Sequence, residues 1–474
     1  MEWSGDFWVT RLVFQRALGL VYLLAFVAAL NQFRPLLGER GLMPVSYFVK
    51  AIPFSRSPSL FYLWPKDTAF AAGAWFGILL SCLAVTGLAD SRSQLLSSVV
   101  WGGLWVVYLS FVNVGQTFYA FGWESILLEA GFYAIFLGPR SVKTPVIVIW
   151  LLRWLLFRVM FGAGLIKLRG DSCWRDLTCL SYYYETQPMP NPLSWWFHWA
   201  PDWFHRAGVG FNHFAELLAP FGYFAPAPVC AAAGLVTILF QGMIMAGGNL
   251  SCLNLLTIVL AIPCFDDRVL SALLPLELPS FAPAGAPLTI AVRLLAVLVG
   301  CLSIQPILNM VSRGQIMNTT YNPFHLVGTY GAFGSITRTR NEIVIEGTDE
   351  AAVRESTHWK EYEFKGKPGD LNRLPPQVAP YQLRLDWLMW FAAMSPSYDP
   401  YNYPWFGVFV EKLLEADPDA LSLLAVDPFA GKPPRFIRAQ LYEYHFTPPE
   451  AHRRTGRWWD RRLVGVYLPP VSLP

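Results

Sequence analysis

Charged side chains are scarce in this sequence: 15% of its 474 residues are charged, whereas 54% are hydrophobic. A soluble globular chain carries about 25% charged residues, so this chain has too few of them to cover a water-facing surface of its size. We therefore predict a membrane protein that is surrounded by a lipid bilayer. The net charge of +3 is far from the basic excess that nucleic-acid binding requires, which excludes nucleic acid as the main partner.

Cysteine is also rare, and the odd number of seven argues against a disulfide framework. Cys173 and Cys179 alone lie outside the apolar segments, and they are the disulfide candidates. A disulfide between them would close only a short loop, so its stabilising effect would be modest. The other five are predicted to be buried thiols, namely Cys82, Cys230, Cys252, Cys264 and Cys301.

Motifs that mark common enzymes are missing as well. The sequence has no nucleophile elbow, phosphate-binding loop or dinucleotide fingerprint, and we predict no cofactor. His198, His205 and His213 precede Glu216, but spacings of seven and eight residues do not match a pair of metal ligands on one helix face. We therefore predict no metal site and interpret these histidines as hydrogen-bonded residues near the membrane interface.

Long apolar runs dominate the first two thirds of the chain. A helix needs about 20 mostly apolar residues to cross the hydrocarbon of a bilayer, and six segments satisfy this requirement: 13–30, 69–89, 95–114, 145–166, 227–247 and 287–307. Two shorter runs, 126–137 and 250–265, are full spans, half-helices or re-entrant pieces. The fold class is therefore a multi-pass α-helical membrane bundle with six to eight hydrophobic segments. The first segment is expected to remain as an anchor, because no cleavage site of a signal peptide follows it.

Several ionisable residues interrupt the apolar segments. A charge in hydrocarbon costs at least about 2.5–3.5 kcal/mol, so such residues face the bundle interior or reach the interface. They are Arg16, Glu124, Glu129, Arg153, Arg158, Lys167 and Arg293. We expect ion pairs between the basic and acidic members of this set.

The charge density divides the chain near residue 310, because residues 310–474 hold 18 basic and 18 acidic residues, more than half of the total. We predict four regions: N-terminal transmembrane helices (1–166), a folded extramembrane aromatic-rich loop (167–226), further transmembrane helices (227–309) and an extramembrane, mainly β domain (310–474). In the last region, period-two runs predict strands at 342–347, 358–364, 435–446 and 458–468. Helices are predicted at 383–394, 404–414 and 417–424.

Aromatic residues between these strands are candidates for contact with another protein. Exposed tyrosine and tryptophan are frequent anchors of protein interfaces. The candidates are Tyr398, Tyr401, Tyr403 and Trp405 in a proline-rich loop, together with Trp387 and Trp390 in the preceding apolar run. The alternative is a packed connection without contact to any partner.

Six runs of sequence resemble the lipase maturation factor family: FYAFGWE (118–124), LRGDSCWRDLTC (168–179), YETQPMPNP (184–192), NHFAEL (212–217), HWKEYEFKGKPGD (358–370) and YQLRLDWLMWFAAM (381–394). Members of that family are multi-pass proteins of the endoplasmic reticulum that help secreted lipases to fold and assemble, and they have no established catalytic residues. The motif residues that the resemblance carries over are Asp171, Cys173, Trp174, Arg175, Asp176, Cys179, Glu185, Pro188, Asn191, Pro192, His213 and Glu216.

The resemblance implies that 167–226 and 310–474 lie on the same, extracytoplasmic side. That requires an even number of spans between them, so we expect 250–265 not to cross fully. The membrane would be that of the endoplasmic reticulum in a eukaryote and the cytoplasmic membrane in a bacterium.

A second, weaker resemblance concerns the membrane domain of vitamin K-dependent gamma-carboxylases. It rests on AGLIKL (163–168) followed by Trp174, and Lys167 matches the lysine that acts as the catalytic base in that family. A lysine in an apolar pocket can lose its proton near neutral pH. The alternative is that Lys167 extends to the interface at a helix end.

The leading functional hypothesis is a membrane-anchored folding factor that binds secreted client proteins, with lipases as the expected clients. The first alternative is a membrane enzyme of the gamma-carboxylase type with Lys167 as base. The second is a structural or transport protein with an ion path through Arg153, Arg158 and Glu124.

Overall fold

Among the residues that the structure describes, six helices are long and apolar enough to cross a membrane, and they coincide with the six predicted segments, so the chain is a multi-pass membrane protein. The computed structural model describes residues 6–91, 93–274, 276 and 281–473. The helices of the first part are α1 (Trp8–Leu37), α2 (Val45–Ala51), α3 (Asp67–Thr86), α4 (Gln94–Val114), α5 (Gly122–Ala134), α6 (Val146–Arg169), α7 (Ser172–Arg175), α8 (Leu180–Thr186), α9 (Ser194–His198), α10 (Asp202–His213), α11 (Ala227–Gly247), α12 (Leu253–Ala261), α13 (Asp267–Leu273), α14 (Ala286–Leu302) and α15 (Ile304–Val311). The candidate spans are α1, α3, α4, α6, α11 and the continuous pair α14–α15.

The two ends of the bundle are defined by the ends of α1. At the first end, which we call the N-end, the carboxylate of Asp267 accepts hydrogen bonds from the backbone N–H groups of Trp8, Val9 and Thr10. These groups have no partner within the helix, so Asp267 satisfies them and also places a negative charge at the positive end of the helix dipole. At the opposite end, which we call the domain end, Gln32 donates to the backbone oxygen of Gln382 at 2.6 Å.

The two shorter apolar runs also extend from one end of the bundle to the other. The run containing α5 has Trp123 hydrogen-bonded to Gln382 at the domain end, while the backbone oxygen of Leu137 accepts from Arg11 at the N-end. We expected 250–265 not to cross a membrane fully, and its helix is shorter than the six candidate spans. The ends of this run nevertheless contact both ends of the bundle. Asn249 donates to the backbone oxygen of Pro376 at the domain end, and the oxygen of Phe265 accepts from Thr10 at the N-end.

The region 167–226, predicted to be an extramembrane loop, divides in two. Helices α7 to α9 lie at the domain end, and α10 contacts this group through His205, which lies 2.8 Å from the backbone oxygen of Phe197. A π-helical turn (Phe214–Leu218) and a 3₁₀ segment (Ala219–Phe224) then return along α6. The ring of Phe161 lies 5.2 Å from that of Phe221, and the ring of Trp150 lies 6.0 Å from that of Phe224. Residues 214–224 therefore run antiparallel to α6.

The C-terminal part is a mixed domain whose main element is a four-stranded antiparallel sheet with the order β4-β3-β7-β8. Its strands are β1 (Thr319–Thr320), β2 (Gly328–Thr329), β3 (Arg340–Thr348), β4 (Lys360–Glu361), β5 (Glu363–Phe364), β6 (Leu424–Val426), β7 (Phe436–Phe446) and β8 (Trp459–Val471). Its helices are α16 (Arg384–Ala392), α17 (Pro404–Leu414), α18 (Pro418–Leu421) and α19 (Pro449–Thr455). The predicted mainly β character with short helices is confirmed, and alternate residues of β7 such as Ile437, Ala439 and Leu441 are buried.

A buried ion pair and a buried hydrogen bond fix this domain to the bundle. Arg384 at the start of α16 donates to the carboxylate of Glu124 at 2.7 Å, and both side chains are almost fully buried. The carboxylate of Glu129 pairs with Arg158 of α6 and also accepts from the hydroxyl of Tyr330 at 2.8 Å. The expected pairing of basic and acidic residues is thus present, but one of the cations comes from outside the apolar segments.

Replacement of Arg384 by methionine is expected to leave Glu124 buried without a cationic partner and to destabilise the protein by about 3–5 kcal/mol. The double variant Arg384→Met/Glu124→Gln should recover a large part of this loss, because the buried charge is removed with its partner. Thermal unfolding of the full chain in detergent measures both effects. Arg438→Met, which removes a partly exposed pair with Glu346, is the control with a small expected effect. Equal losses in the single and the double variant would contradict the assignment.

Candidate functional site

A large apolar cavity lies between the bundle and the C-terminal domain. Its volume is about 940 Å³, at the upper end of the range of about 300–1,000 Å³ that is usual for ligand sites. Helices α6, α10, α11 and α12 supply its bundle side, and α16 with the following loop supplies its domain side. Aromatic and methionine side chains dominate the wall, including Trp123, Met160, Trp174, Phe211, Phe240, Met243, Trp387, Trp390, Met394, Tyr403 and Trp405.

Most of the aromatic residues predicted to bind a partner protein lie in or behind this wall. Trp387 packs against Trp123 with ring centroids 5.1 Å apart, and Trp390 donates its ring N–H to the oxygen of Thr186 at 3.0 Å. Tyr403 and Trp405 also line the cavity, and Trp405 is fully buried. The apolar sequence around these residues is equally compatible with burial and exposure. The sequence alone therefore could not distinguish a partner-binding surface from a packed connection.

Two further members of that set lie outside the cavity wall. Tyr398 packs against Phe406 and Tyr467, whereas Tyr401 is 90% exposed. Tyr401 is therefore the member of the predicted set that is freely available to a partner.

Lys167 lies in the cavity wall, where its ammonium group is held by three acceptors. Its Nζ donates to Asn212 Oδ1 at 2.8 Å and to the two carboxylate oxygens of Glu216 at 2.7 and 2.8 Å. The ring of Trp174 lies 4.9 Å from Nζ, which adds a cation–π contact. Lys167 and Glu216 are the only charged residues among the described residues that line the cavity. The motifs at 168–179 and 212–217 therefore meet here, although 32 residues lie between them in the sequence.

The motif at 168–179 builds a short cross-linked turn above this pair. Cys173 and Cys179 form a disulfide, and the side chain of Asp171 caps α7 by accepting from the N–H of Cys173. Arg338 binds Asp171 at 2.7 Å and lowers the pKa of that carboxyl to about 2. The neighbouring Arg175 and Asp176 are exposed.

This turn positions Trp174 over Lys167. The indole N–H of Trp174 donates to the oxygen of Phe333 at 2.9 Å, and its backbone oxygen contacts Nε2 of His213 at 2.9 Å. The motif therefore sets the geometry of the cavity wall.

The motif at 184–192 joins the bundle to the sheet through its backbone. Arg340 of β3 donates to the carbonyl oxygens of Glu185 and Pro188 at 2.9 and 3.1 Å. Asn191 donates to the oxygens of Met245 and Ala246 at the end of α11, at 3.0 Å each. Pro192 follows and is partly buried.

The side chain of Glu185 extends this junction to β7. Its carboxylate accepts from the backbone N–H of Phe446 at 2.6 Å and contacts Nδ1 of His445 at 3.1 Å. Hydrogen bonding to Glu185 raises the pKa of His445 above its ordinary value of 6.5.

No group of three or more His, Cys, Asp or Glu side chains that could hold a metal ion occurs in the described part of the chain. His205 and His213 instead contact backbone oxygens of Phe197 and Trp174. Burial lowers the pKa of His198.

Two polar residues of the cavity wall were missed in the sequence, Gln241 of α11 and Asn254 of α12. The signal that could have found them is a polar amide within an apolar segment, because such residues are costly in hydrocarbon and often functional. Arg340 and Arg384 were also missed, since their partners lie more than 150 residues away.

Comparison with known proteins gives consistent matches over nearly the whole chain. The lipase maturation factor transmembrane domain matches residues 9–272, and the lipase maturation factor C-terminal domain matches residues 326–469. Lipase maturation factor 1 of Bos taurus is 44% identical over 99% of this chain and 90% of its own length, and that of Homo sapiens is 43% identical over 99% and 89%. Lipase maturation factor 2 of Xenopus laevis is 31% identical over 99% of this chain and 83% of its own length. No solved structure matches.

The Lys167–Glu216 pair yields a double-variant prediction. Lys167→Met should destabilise the protein by about 3–5 kcal/mol, because Glu216 then remains buried with Asn212 as its neutral partner. Lys167→Met/Glu216→Gln should recover most of the free energy of unfolding. Thermal unfolding in detergent measures the cycle, and an unchanged stability of the single variant would contradict the pairing.

The junction between Glu185 and β7 is expected to weaken as the pH rises. A histidine with a raised pKa stabilises the folded state below its unfolded value of 6.5, and the contribution is lost as the pH rises through the higher folded value. Glu443, 3.3 Å from His445, also raises the pKa of His445. His198 is a further neighbour of Glu185, at 3.7 Å. Hydrogen exchange of the Phe446 amide, corrected for intrinsic rates, should show increasing opening as the pH rises above 6.5. The same pH dependence in His445→Ala would exclude this cause.

Proposed function

The chain belongs to the lipase maturation factor family, and from this premise we propose that it is a membrane-anchored folding factor that binds incompletely folded secreted lipases. The domain end then faces the extracytoplasmic side, where such clients are present. In a eukaryote this side is the lumen of the endoplasmic reticulum, and in a bacterium it is the outer face of the cytoplasmic membrane. The factor acts as a chaperone, without a cofactor.

The observation that carries the proposal is the outer strand β8. It pairs with β7 along one edge, and its other edge pairs with no strand in the described part of the chain. Leu463, Val464 and Val466 are 54%, 52% and 55% exposed. Because neighbouring residues of a strand point to opposite faces, β8 presents apolar side chains on both faces of the sheet edge.

An incompletely folded lipase offers the complementary chemistry. Extended segments of an unfolded chain have unpaired backbone groups and exposed apolar side chains, and both can be satisfied by adding a strand to a free sheet edge. The hydrogen bonds that form are between backbone groups, so the surface can accept segments of different sequence. Such binding shields the client from aggregation while the rest of it folds.

Tyr401 extends the same surface. The loop that carries it is joined to β8, because the N–H of Tyr398 donates to the oxygen of Tyr467 at 2.9 Å. An exposed tyrosine beside an open strand edge is a suitable anchor for an apolar client segment. The proposed client site therefore consists of β8 and Tyr401.

Catalysis by Lys167 is not part of the proposal. A general base must reach the proton of its substrate, whereas Nζ of Lys167 is already held by Asn212 and by both carboxylate oxygens of Glu216. The stable double variant Lys167→Met/Glu216→Gln should therefore retain lipase maturation. A folded but inactive double variant would instead favour the enzyme hypothesis.

An ion path is not favoured by the geometry either. Arg153 donates to the oxygen of Pro263, Arg158 pairs with Glu129, and Glu124 pairs with Arg384. Each of these charges has its own fixed partner, so they do not form a continuous chain.

Leu463→Asp/Val466→Asp is expected to lower binding of a newly synthesised lipase by about tenfold, because charges would be brought against the apolar segment of the client. Both residues are exposed, so the fold should be retained. Secretion of active lipase from cells that express the variant, normalised to the amount of the factor, is the readout. A photo-crosslinking residue at position 463 should capture the lipase.

The matched control is Val353→Asp/Val426→Asp, which changes two exposed apolar residues of the same domain away from β8. This control should leave lipase secretion unchanged, and a crosslinker at position 353 should not capture the lipase. Normal secretion with the β8 variant, or equal loss with both variants, would contradict the client site.

A further inference from the structure

The bundle side of the cavity contains a polar pair whose hydrogen bonds are incomplete. Asn254 is 2% exposed, and its Nδ2 donates to Oε1 of Gln241 at 2.6 Å. Its Oδ1 has no hydrogen-bond partner among the described residues. The Nε2 of Gln241 has only the sulfur of Met160 as an acceptor, at 3.4 Å, and a thioether is a weak acceptor.

An unpaired amide oxygen in an apolar site is costly. Leaving a buried polar group unsatisfied costs about 1–3 kcal/mol, so such a group in a native structure calls for a partner that is not part of the chain. Both residues line the cavity. A ligand in the cavity that carries a hydroxyl group can donate to Oδ1 of Asn254.

The cavity also reaches the lipid-facing surface of the bundle. Met243 lines the cavity, lies on the spanning helix α11 and is 48% exposed. Ile244 of α11 and Phe204 and Gly208 of α10 line the same side. Met243 is thus exposed on a spanning helix and also lines the cavity, which gives the cavity a route to the bilayer beside α11, next to the lining residues of α10.

The charges in the wall restrict the head group of the ligand. Lys167 and Glu216 neutralise each other, and the three donors of Lys167 are already used. A phosphate, carboxylate or ammonium head group would therefore lose its hydration without gaining a partner. A neutral hydroxyl head group loses little hydration free energy and gains a hydrogen bond to Asn254.

We propose that the cavity binds a neutral single-chain lipid of the monoacylglycerol class, which enters from the bilayer beside α11. Its head group donates to Asn254 beside Gln241, and its acyl chain packs against the aromatic and methionine wall supplied by α11 and α16. The volume suits one chain with a small head group. The proposal is independent of client binding, because the lipid site is the cavity between the bundle and the C-terminal domain, whereas the client site is on β8.

The test uses the purified full chain in phosphatidylcholine nanodiscs without any lipase. A monoacylglycerol with a diazirine in its acyl chain is photo-activated, and the labelled peptides are identified by mass spectrometry. We expect labels on α11, α12 and α16. Unlabelled monoacylglycerol should compete, whereas the fatty acid and lysophosphatidylcholine should compete at least about tenfold less well.

Two variants and a control sharpen the result. Gln241→Leu/Asn254→Leu should weaken binding by about five- to tenfold, since one hydrogen bond is lost, and Ile244→Trp should close the route beside α11 and abolish specific labelling. The control Gln94→Leu/Ser98→Ala removes a polar pair at the N-end, outside the cavity, and should bind normally. Labelling spread evenly over the exposed faces of α3 and α14, or unaffected by the cavity variants, would overturn the site. Equal competition by the charged lipids would overturn the assignment of a neutral ligand.

Discussion

The architecture depends on the need to neutralise two carboxylates inside an apolar bundle. Glu124 and Glu129 lie on α5, where a buried charge is costly unless a partner compensates it. Arg158 comes from the bundle, but Arg384 comes from the C-terminal domain, and Tyr330 adds a further hydrogen bond to Glu129. Folding of the membrane part and docking of the water-exposed part are therefore coupled, and the bundle reaches its stable state only when the domain is in place.

The six long spans and the main strands could be predicted because their signals are local. A run of about 20 apolar residues satisfies its own backbone, and a period-two run selects a sheet face. Residues 214–224 escaped prediction as a segment that packs along α6 because they form a π-helical turn and a 3₁₀ segment, and they include Glu216. Of the polar residues at 202–224, Asn212 and Glu216 contact Lys167, whereas Asp202 and Arg206 are exposed as on a surface helix.

The contacts that form the candidate sites could not be predicted from local sequence patterns. Aromatic residues were correctly noticed at 387–405, but only the tertiary structure distinguishes Tyr401 on the surface from Trp387 and Trp405 inside. The run YETQPMPNP was recognisable as a motif, yet its contacts with Arg340 and the end of α11 span large sequence distances. Its carbonyl groups satisfy a buried guanidinium, so its importance follows from backbone geometry more than from any side-chain chemistry.

The cap on α1 has a consequence for biosynthesis. The N–H groups of Trp8, Val9 and Thr10 receive their acceptor from Asp267, which is separated from them by 257 to 259 positions. The first turn of α1 thus lacks its acceptor until more than 250 further residues have been translated. A nascent fragment that stops before Asp267 leaves these three N–H groups without their carboxylate partner, so completion of α1 is tied to synthesis of the segment that follows α12.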